Sequence, residues 1–202
     1  MTDISDKETM PVGRRGFIRN AAAGGLSLAA VSLLSGEPVA AQRGRYGTAA
    51  PADAQGDADL LNAALGLEHE GIAAYTIAAG SGLLEPAVVE VGVLFRGHHQ
   101  AHRDELARVI RTLGGTPVEP KTDAEYVEAL GFAALRNQTD VLNLALRLER
   151  GATSAYLGIM PALQDGDHDH LAARIAVDEA AHFTALAGAL GQSLPGNAFI
   201  FG

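Results

Sequence analysis

The chain has 202 residues, no cysteine and a formal net charge of −9, with 24 acidic residues against 15 basic. Without cysteine there is no disulfide to support the fold and no thiolate to hold a metal. The acidic balance argues against nucleic acid or an anionic membrane surface as a partner.

The chain opens on an address. Gly13-Arg14-Arg15-Gly16-Phe17-Ile18-Arg19 matches a twin-arginine export signal, the apolar stretch Ala21 to Leu34 follows, and Val39-Ala40-Ala41 offers small residues for cleavage. The apolar stretch is short and carries Gly and Ser, so it reads as a signal peptide, residues 1–41, rather than a membrane anchor. The expectation is a periplasmic or extracellular protein, delivered by the twin-arginine export machinery and left with no stable membrane span after cleavage. That machinery carries folded proteins, often with cofactor in place. The first 41 residues hold four basic and four acidic side chains, so the whole net charge belongs to the remainder. That remainder is long enough for one domain with a real core.

Residues 42–57, with Gly, Ala and Pro and little that is large and apolar, read as a flexible linker. A first helix is predicted from about Ala58 to Ala79. There Leu60, Leu61, Ala64, Leu65, Glu68, Ile72, Tyr75 and Ala79 recur at helical spacing and place Glu68 on the apolar stripe. Ser81-Gly82 ends it. Pro86 suits a first helical turn, and a second helix runs from there to about Leu113, with His99, His102, Leu106, Val109 and Ile110 near one side before Gly114-Gly115. The stretch from Thr116 to Gln138 lacks a long periodic run and reads as a crossover with a short helix near Asp123 to Leu130, capped by Thr122 or Asp123. A third long helix is expected from about Thr139 to Met160, and a fourth from Asp165 or Asp167 to about Ala189, leaving a tail at 192–202. Phe199, Ile200 and Phe201 of that tail could cover a groove or a second subunit.

The organising feature is an internal repeat. Leu67-Glu68, six residues and Tyr75 return as Leu148-Glu149, six residues and Tyr156, an offset of 81. His99, His102 and Leu106 correspond to Glu179, His182 and Leu186 at an offset of 80. Two helical hairpins follow from this, each with one helix bearing a lone Glu and one bearing a ligand-type residue, two spacers and a His. Residues three apart share a helix face, so Glu179 and His182 can reach one ion together, as facing helices of a bundle do at a two-metal site. With short turns inside the hairpins and a long crossover between them, the fold class is an all-α four-helix bundle.

These motifs resemble the ferritin-like superfamily, in particular exported bacterial ferritin-like proteins related to plant desiccation-associated proteins. The resemblance covers roughly residues 58 to 190. It implies a ferritin-like bundle over residues 58–191 and metal ligands at Glu68, His102, Glu149, Glu179 and His182, with His99 in the sixth position. There the family pattern has a carboxylate. His99 gives the site three carboxylates and three imidazoles, one negative charge and one carboxylate bridge fewer, so an asymmetric two-metal site or a single ion is expected. Iron is the first expectation, with manganese, zinc or copper as alternatives. Oxygen or peroxide chemistry at a redox-active centre is what the family implies.

Other readings stay open on the sequence alone. His98 also lies four residues from His102 and could take the place of His99, though the repeat register favours His99, and Glu70 is a reserve ligand on the first helix. Tyr75 and Tyr156 are expected to hydrogen-bond the ligand carboxylates. His102 and His182 could instead be core histidines bonded to a Glu across the bundle. Asp165 to His170 fails as a calcium loop, because its sixth place is His170 and its twelfth is Ala176. The competing function is a non-enzymatic stress or envelope bundle with a structural or vestigial site, and a homo-oligomer remains open.

Overall fold

The computed structural model describes residues 52–193 and 195–201. The twin-arginine signal, its cleavage site and the start of the expected linker lie outside them. Five α-helices follow in order: α1 (Ala52–Gly80), α2 (Pro86–Thr112), α3 (Asp123–Ala129), α4 (Gln138–Ile159) and α5 (Gly166–Ala189), with single 3-10 turns at Phe132–Ala134 and Met160–Ala162. The protein is all-helical over the described residues. None of those helices is long and apolar enough to cross a membrane.

Local chemistry sets the ends of these helices. Pro86 occupies the first turn of α2, where its missing N–H costs nothing. Thr122 and Glu125 make a reciprocal capping box at α3, while Asn137 accepts from the Asp140 amide at α4 and Asp165 from that of Asp167 at α5. Gly114 and Gly191 take φ of +81° and +67°, and the amides after α2 and α5 turn back onto the last carbonyls: Gly115 N to Ile110 O and Gln192 N to Ala187 O, both 2.9 Å. These are Schellman closures, which need the left-handed backbone that glycine adopts freely.

α1 packs along α2 and α4 along α5, giving two antiparallel hairpins, and α1 also meets α4 while α2 meets α5. The crossover is pinned to α1: Asn62 Nδ2 donates to Thr116 O at 2.8 Å, Val118 N donates back to Asn62 Oδ1 at 2.8 Å, and His69 Nε2 lies 3.0 Å from Val118 O.

α1 begins at Ala52, earlier than periodicity suggests, and the added turns are tertiary in origin. Asp57, read as linker, is buried and accepts from the amides of Gln164 (2.8 Å) and Asp165 (3.2 Å), with His168 Nδ1 at 2.7 Å from its Oδ2. It locks the start of α1 to the start of α5, which no local pattern announces. His168 thereby has a structural partner.

The core has two parts. At one end Leu61, Leu65, Leu106, Ile110, Ile159 and Ile175 interlock with Tyr156. At the other, Tyr75, Phe95, Leu142 and Leu186 form a smaller cluster. Between them lies a layer of buried charge. In the tail, Phe201 packs edge-on against Phe183 with centroids 5.2 Å apart and Ile200 O accepts from Arg150, whereas Phe199 is 99% exposed.

Candidate metal centre

The layer between the two core clusters consists of Glu68 from α1, His99 and His102 from α2, Glu149 from α4, and Glu179 and His182 from α5, all buried. The structure brings together all six positions expected from the repeat. They form two overlapping groups, Glu68, His99, His102 and Glu179 in one and His99, Glu149, Glu179 and His182 in the other; within each, the donor atoms lie within 4.8 Å of one another. His99 and Glu179, equivalent in the repeat, are the shared members.

His99 Nδ1 is 2.8 Å from Glu68 Oε2 and 3.5 Å from Glu179 Oε1, and its Nε2 is 3.4 Å from Glu149 Oε1. His102 Nδ1 stands 3.1 Å from Glu179 Oε1 and 3.5 Å from Glu68 Oε2. His182 Nδ1 stands 3.3 Å from Glu179 Oε2 and 3.5 Å from Glu149 Oε2. Tyr156 donates to Glu68 and Tyr75 to Glu149, each hydroxyl reaching the lone Glu of the other hairpin. Five atoms facing the interior of this cluster make no hydrogen bond: His102 Nδ1, His182 Nδ1, Glu149 Oε2 and both oxygens of Glu179. Buried polar atoms without partners are rare and costly, and carboxylate oxygens with imidazole nitrogens converging on one space are the donor set of a first-row metal site. The residues present therefore fit a metal ion.

Residues 56–192 match the family model described as "Ferritin-like domain". The chain belongs to the ferritin-like domain family. A solved structure of a conserved hypothetical protein, rv2844, from Mycobacterium tuberculosis is similar over 73% of this chain and 99% of its own, at 21% identity and a TM-score of 0.59. At that identity the likeness shows the fold alone. No curated protein matches the sequence.

In this member of the ferritin-like family, protons balance the buried charges of the metal-free cluster. Burial opposes charge on His99, but its hydrogen bonds to Glu149 and Glu68 hold it well above the ordinary histidine value. His102 is likewise disfavoured by burial, yet Glu179 and Glu68 lift it to about 10. Burial would raise Glu68 and Glu149, but their partners bring both down, His102 and His99 for Glu68, Glu179 and His182 for Glu149. Glu179 goes the other way: burial and the neighbouring Glu149 carboxylate push it up to about 7. Burial raises Tyr75 and Tyr156 well above the ordinary tyrosine value, and the neighbouring carboxylates add to this, so both stay neutral donors.

Three features of the site escaped the sequence. Asp178 Oδ2 lies 3.1 Å from His102 Nε2, and His98 Nδ1 lies 2.9 Å from His182 Nε2. Each histidine whose Nδ1 faces the cluster is thus oriented from behind by the residue that precedes the shared position on the facing helix. The 80-residue offset already pairs His98 with Asp178, and that was the available signal. His98 is exposed and joins neither group, whereas His99 belongs to both. Glu70 also stands outside both groups; it borders a cleft of about 480 Å³ whose walls include His99 and Glu149.

The third feature is Gly71. A Cβ there would meet His99 Cε1 and Nδ1 at 3.0 Å and Cδ2 at 3.2 Å. The imidazole that replaces a carboxylate is accommodated by the missing side chain one helix away. Gly in mid-helix looks like a simple weakness, so nothing local marked it.

Proposed function

We propose that this ferritin-like protein holds one or two metal ions through Glu68, His99, His102, Glu149, Glu179 and His182, and that it handles oxygen or peroxide in the cell envelope. The observation that carries the reading is the set of five unpartnered buried atoms on His102, His182, Glu149 and Glu179. A redox-active ion there, iron first and manganese or copper as alternatives, would supply electron exchange with the oxidant; zinc would leave the site structural. The chain's own part is to position and to shield. Tyr75 and Tyr156 hold one oxygen of Glu149 and of Glu68; the second oxygen of Glu149 has no partner, and that of Glu68 faces His99 Nδ1. Asp178 and His98 fix the ring planes of His102 and His182. The cleft beside Glu70, Gly71 and Arg150 is the path by which a small oxidant reaches His99 and Glu149.

The export expectation joins this proposal. Its support is the Arg14-Arg15 motif with its apolar segment, and a twin-arginine route suits a site assembled from four helices before transport. Residues 1–41 fused to a reporter should direct export, and replacing Arg14 and Arg15 by Lys should stop it. A relation to desiccation-associated proteins belongs to the same proposal.

The reading is tested by metal analysis after gel filtration of protein purified without chelator or affinity metal. Glu179 belongs to both groups and His182 to one. Wild type should take up two ions or one, His182→Ala should lose only the ion of its own group, and Glu179→Ala should lose specific binding altogether. His168→Ala should leave metal content intact. Wild type that takes up no iron, manganese, copper or zinc would overturn the proposal and favour a structural bundle. That second reading has one observation of its own: Glu68 and Glu149 already have Tyr and His partners without metal.

A further inference from the structure

The two ends of the bundle are filled differently. Where one end packs Leu and Ile closely, the other intersperses its Leu and Val with small residues, among them Ala74, Ala78, Gly92 and Ala145, and leaves a cavity of about 170 Å³. Its floor is made by Tyr75 and Phe95, whose rings meet edge-to-face with centroids 6.0 Å apart. Both rings touch the candidate metal centre on their other sides. Phe95 stacks on His182 at 4.1 Å, and the Tyr75 hydroxyl is committed to Glu149. Val91, 45% exposed, stands where the cavity meets solvent.

No wall of this cavity bears a charge, and the hydroxyl of Tyr75 is already engaged. Water inside would find no partners, and an apolar cavity of ~150 Å³ in another protein is known to stay dry and to bind benzene. Dispersion contacts with unfilled walls are the only interaction on offer, which selects for shape and against charge.

We propose that this cavity is a binding site for an uncharged, apolar small molecule about the size of one aromatic ring, seated against Tyr75 and Phe95. The site does not depend on metal. Its position places the bound molecule one ring away from His182 and Glu149.

The test uses metal-free full-length protein, with toluene as probe and benzoate as its charged counterpart, followed by NMR titration. Toluene should bind saturably, and benzoate at least tenfold more weakly. Gly92→Leu should weaken toluene binding at least tenfold. A Cβ at position 92 makes only an ordinary contact, 3.5 Å from Tyr75 Cδ1, and the change removes a glycine from mid-helix, so folding is favoured. Ala145→Leu fills the cavity from the other hairpin and serves should the first variant misfold; helix content and metal uptake report integrity. Absence of saturable toluene binding, or equal binding by wild type and both filled variants, would overturn the proposal. So would toluene binding that emerges only in Phe199→Ala, which would assign the cavity to the exposed tail ring of a second copy. Loss of metal binding in other variants leaves this result unaffected, so the two readings fail separately.

Discussion

Gly71→Ala isolates what the His99 ring demands of its surroundings. The added methyl would stand 3.0 Å from two ring atoms of His99 and 3.2 Å from a third. The ring cannot simply retreat, because Tyr75 stacks beside it with centroids 5.6 Å apart, Glu68 is 2.8 Å away and Glu149 3.4 Å. Two effects compete. Replacing glycine by alanine within a helix favours folding by ~1 kcal/mol, whereas overfilling a packed interior costs ~1–3 kcal/mol. Gly66, just over one turn earlier on α1, supplies the control, since a Cβ there meets nothing within 4 Å.

Gly66→Ala should therefore stabilise the metal-free protein by about 1 kcal/mol. Gly71→Ala should fall below that control by about 1–3 kcal/mol, roughly 2–12 °C in melting temperature for a domain of this size. Urea unfolding of the two variants measures the difference directly, and metal titration of Gly71→Ala should show weakened uptake because His99 is displaced. A Gly71→Ala protein as stable as Gly66→Ala, with unchanged metal uptake, would refute the argument that this glycine exists to seat the histidine.

Metal uptake at pH 7 should release protons, because His99 and His102 are held protonated in the metal-free cluster, His182 is raised by Glu149 and Glu179, and Glu179 titrates at about 7; roughly two or more per chain are expected in a weakly buffered titration, and none would contradict the charge balance described above. The same groups set the pH range of the metal-free fold. His102, raised from 6.5 to about 10, contributes stability that is full below 6.5 and lost as pH climbs through about 10. Glu68 and Glu149, lowered from 4.5, contribute above that value and lose it as pH falls, while Glu179, raised to about 7, favours the fold only in its protonated form and so withdraws support as pH rises from 4.5 through about 7. Urea midpoints across pH 4 to 11 should thus decline toward both ends, on the alkaline side across the window from 6.5 to about 10. Asp57→Ala should destabilise the bundle by about 2–4 kcal/mol, since it leaves two amides and His168 without their acceptor, yet metal content should not change.

The bundle and all six cluster positions were legible because the repeat supplies long-range information that ordinary sequence patterns lack. Equivalent positions at offsets of 81 and 80 must occupy equivalent places in two hairpins, so Glu68, Glu149, His102 and His182 could be placed face to face before any packing was known. Asp57 had no counterpart and no periodicity, and its role depends on a turn more than a hundred residues away. Gly71 was silent for a related reason: what it contributes is an absence, visible only when the ring of another helix fills it. The cavity at one end of the bundle was equally hidden, because a run such as Ile72-Ala73-Ala74-Tyr75 looks like a well-filled apolar stripe until Gly92, Ala145 and Ala189 prove to stand among the residues lining the same space.

His98 and His99 are adjacent on α2 and stand where the other half of the repeat has Asp178 and Glu179. Two negative charges are missing from one side of the cluster, and the consequence falls on metal number. Two divalent ions bring four positive charges against the three carboxylates of Glu68, Glu149 and Glu179. One ion is overbalanced by acid and the second is not, and His99, when neutral, offers a lone pair on only one of its two nitrogens, whereas Glu179 has an oxygen facing each of His102 and His182. The expected binding is one tight and one weak ion, resolved as two classes in a calorimetric titration. His99→Glu should tighten the weak class by about tenfold or more, because a unit charge pair 4 Å apart at an effective dielectric of about 20 is worth ~4 kcal/mol and only part of that is offset by the lost nitrogen donor. The narrower side chain, with no ring, would also vacate the hollow beside Gly71, so His99→Glu with Gly71→Ala should be better tolerated than Gly71→Ala alone. Two equally tight ions in the wild-type protein would show that His99 carries the duties of a bridging carboxylate, and the charge argument would fail.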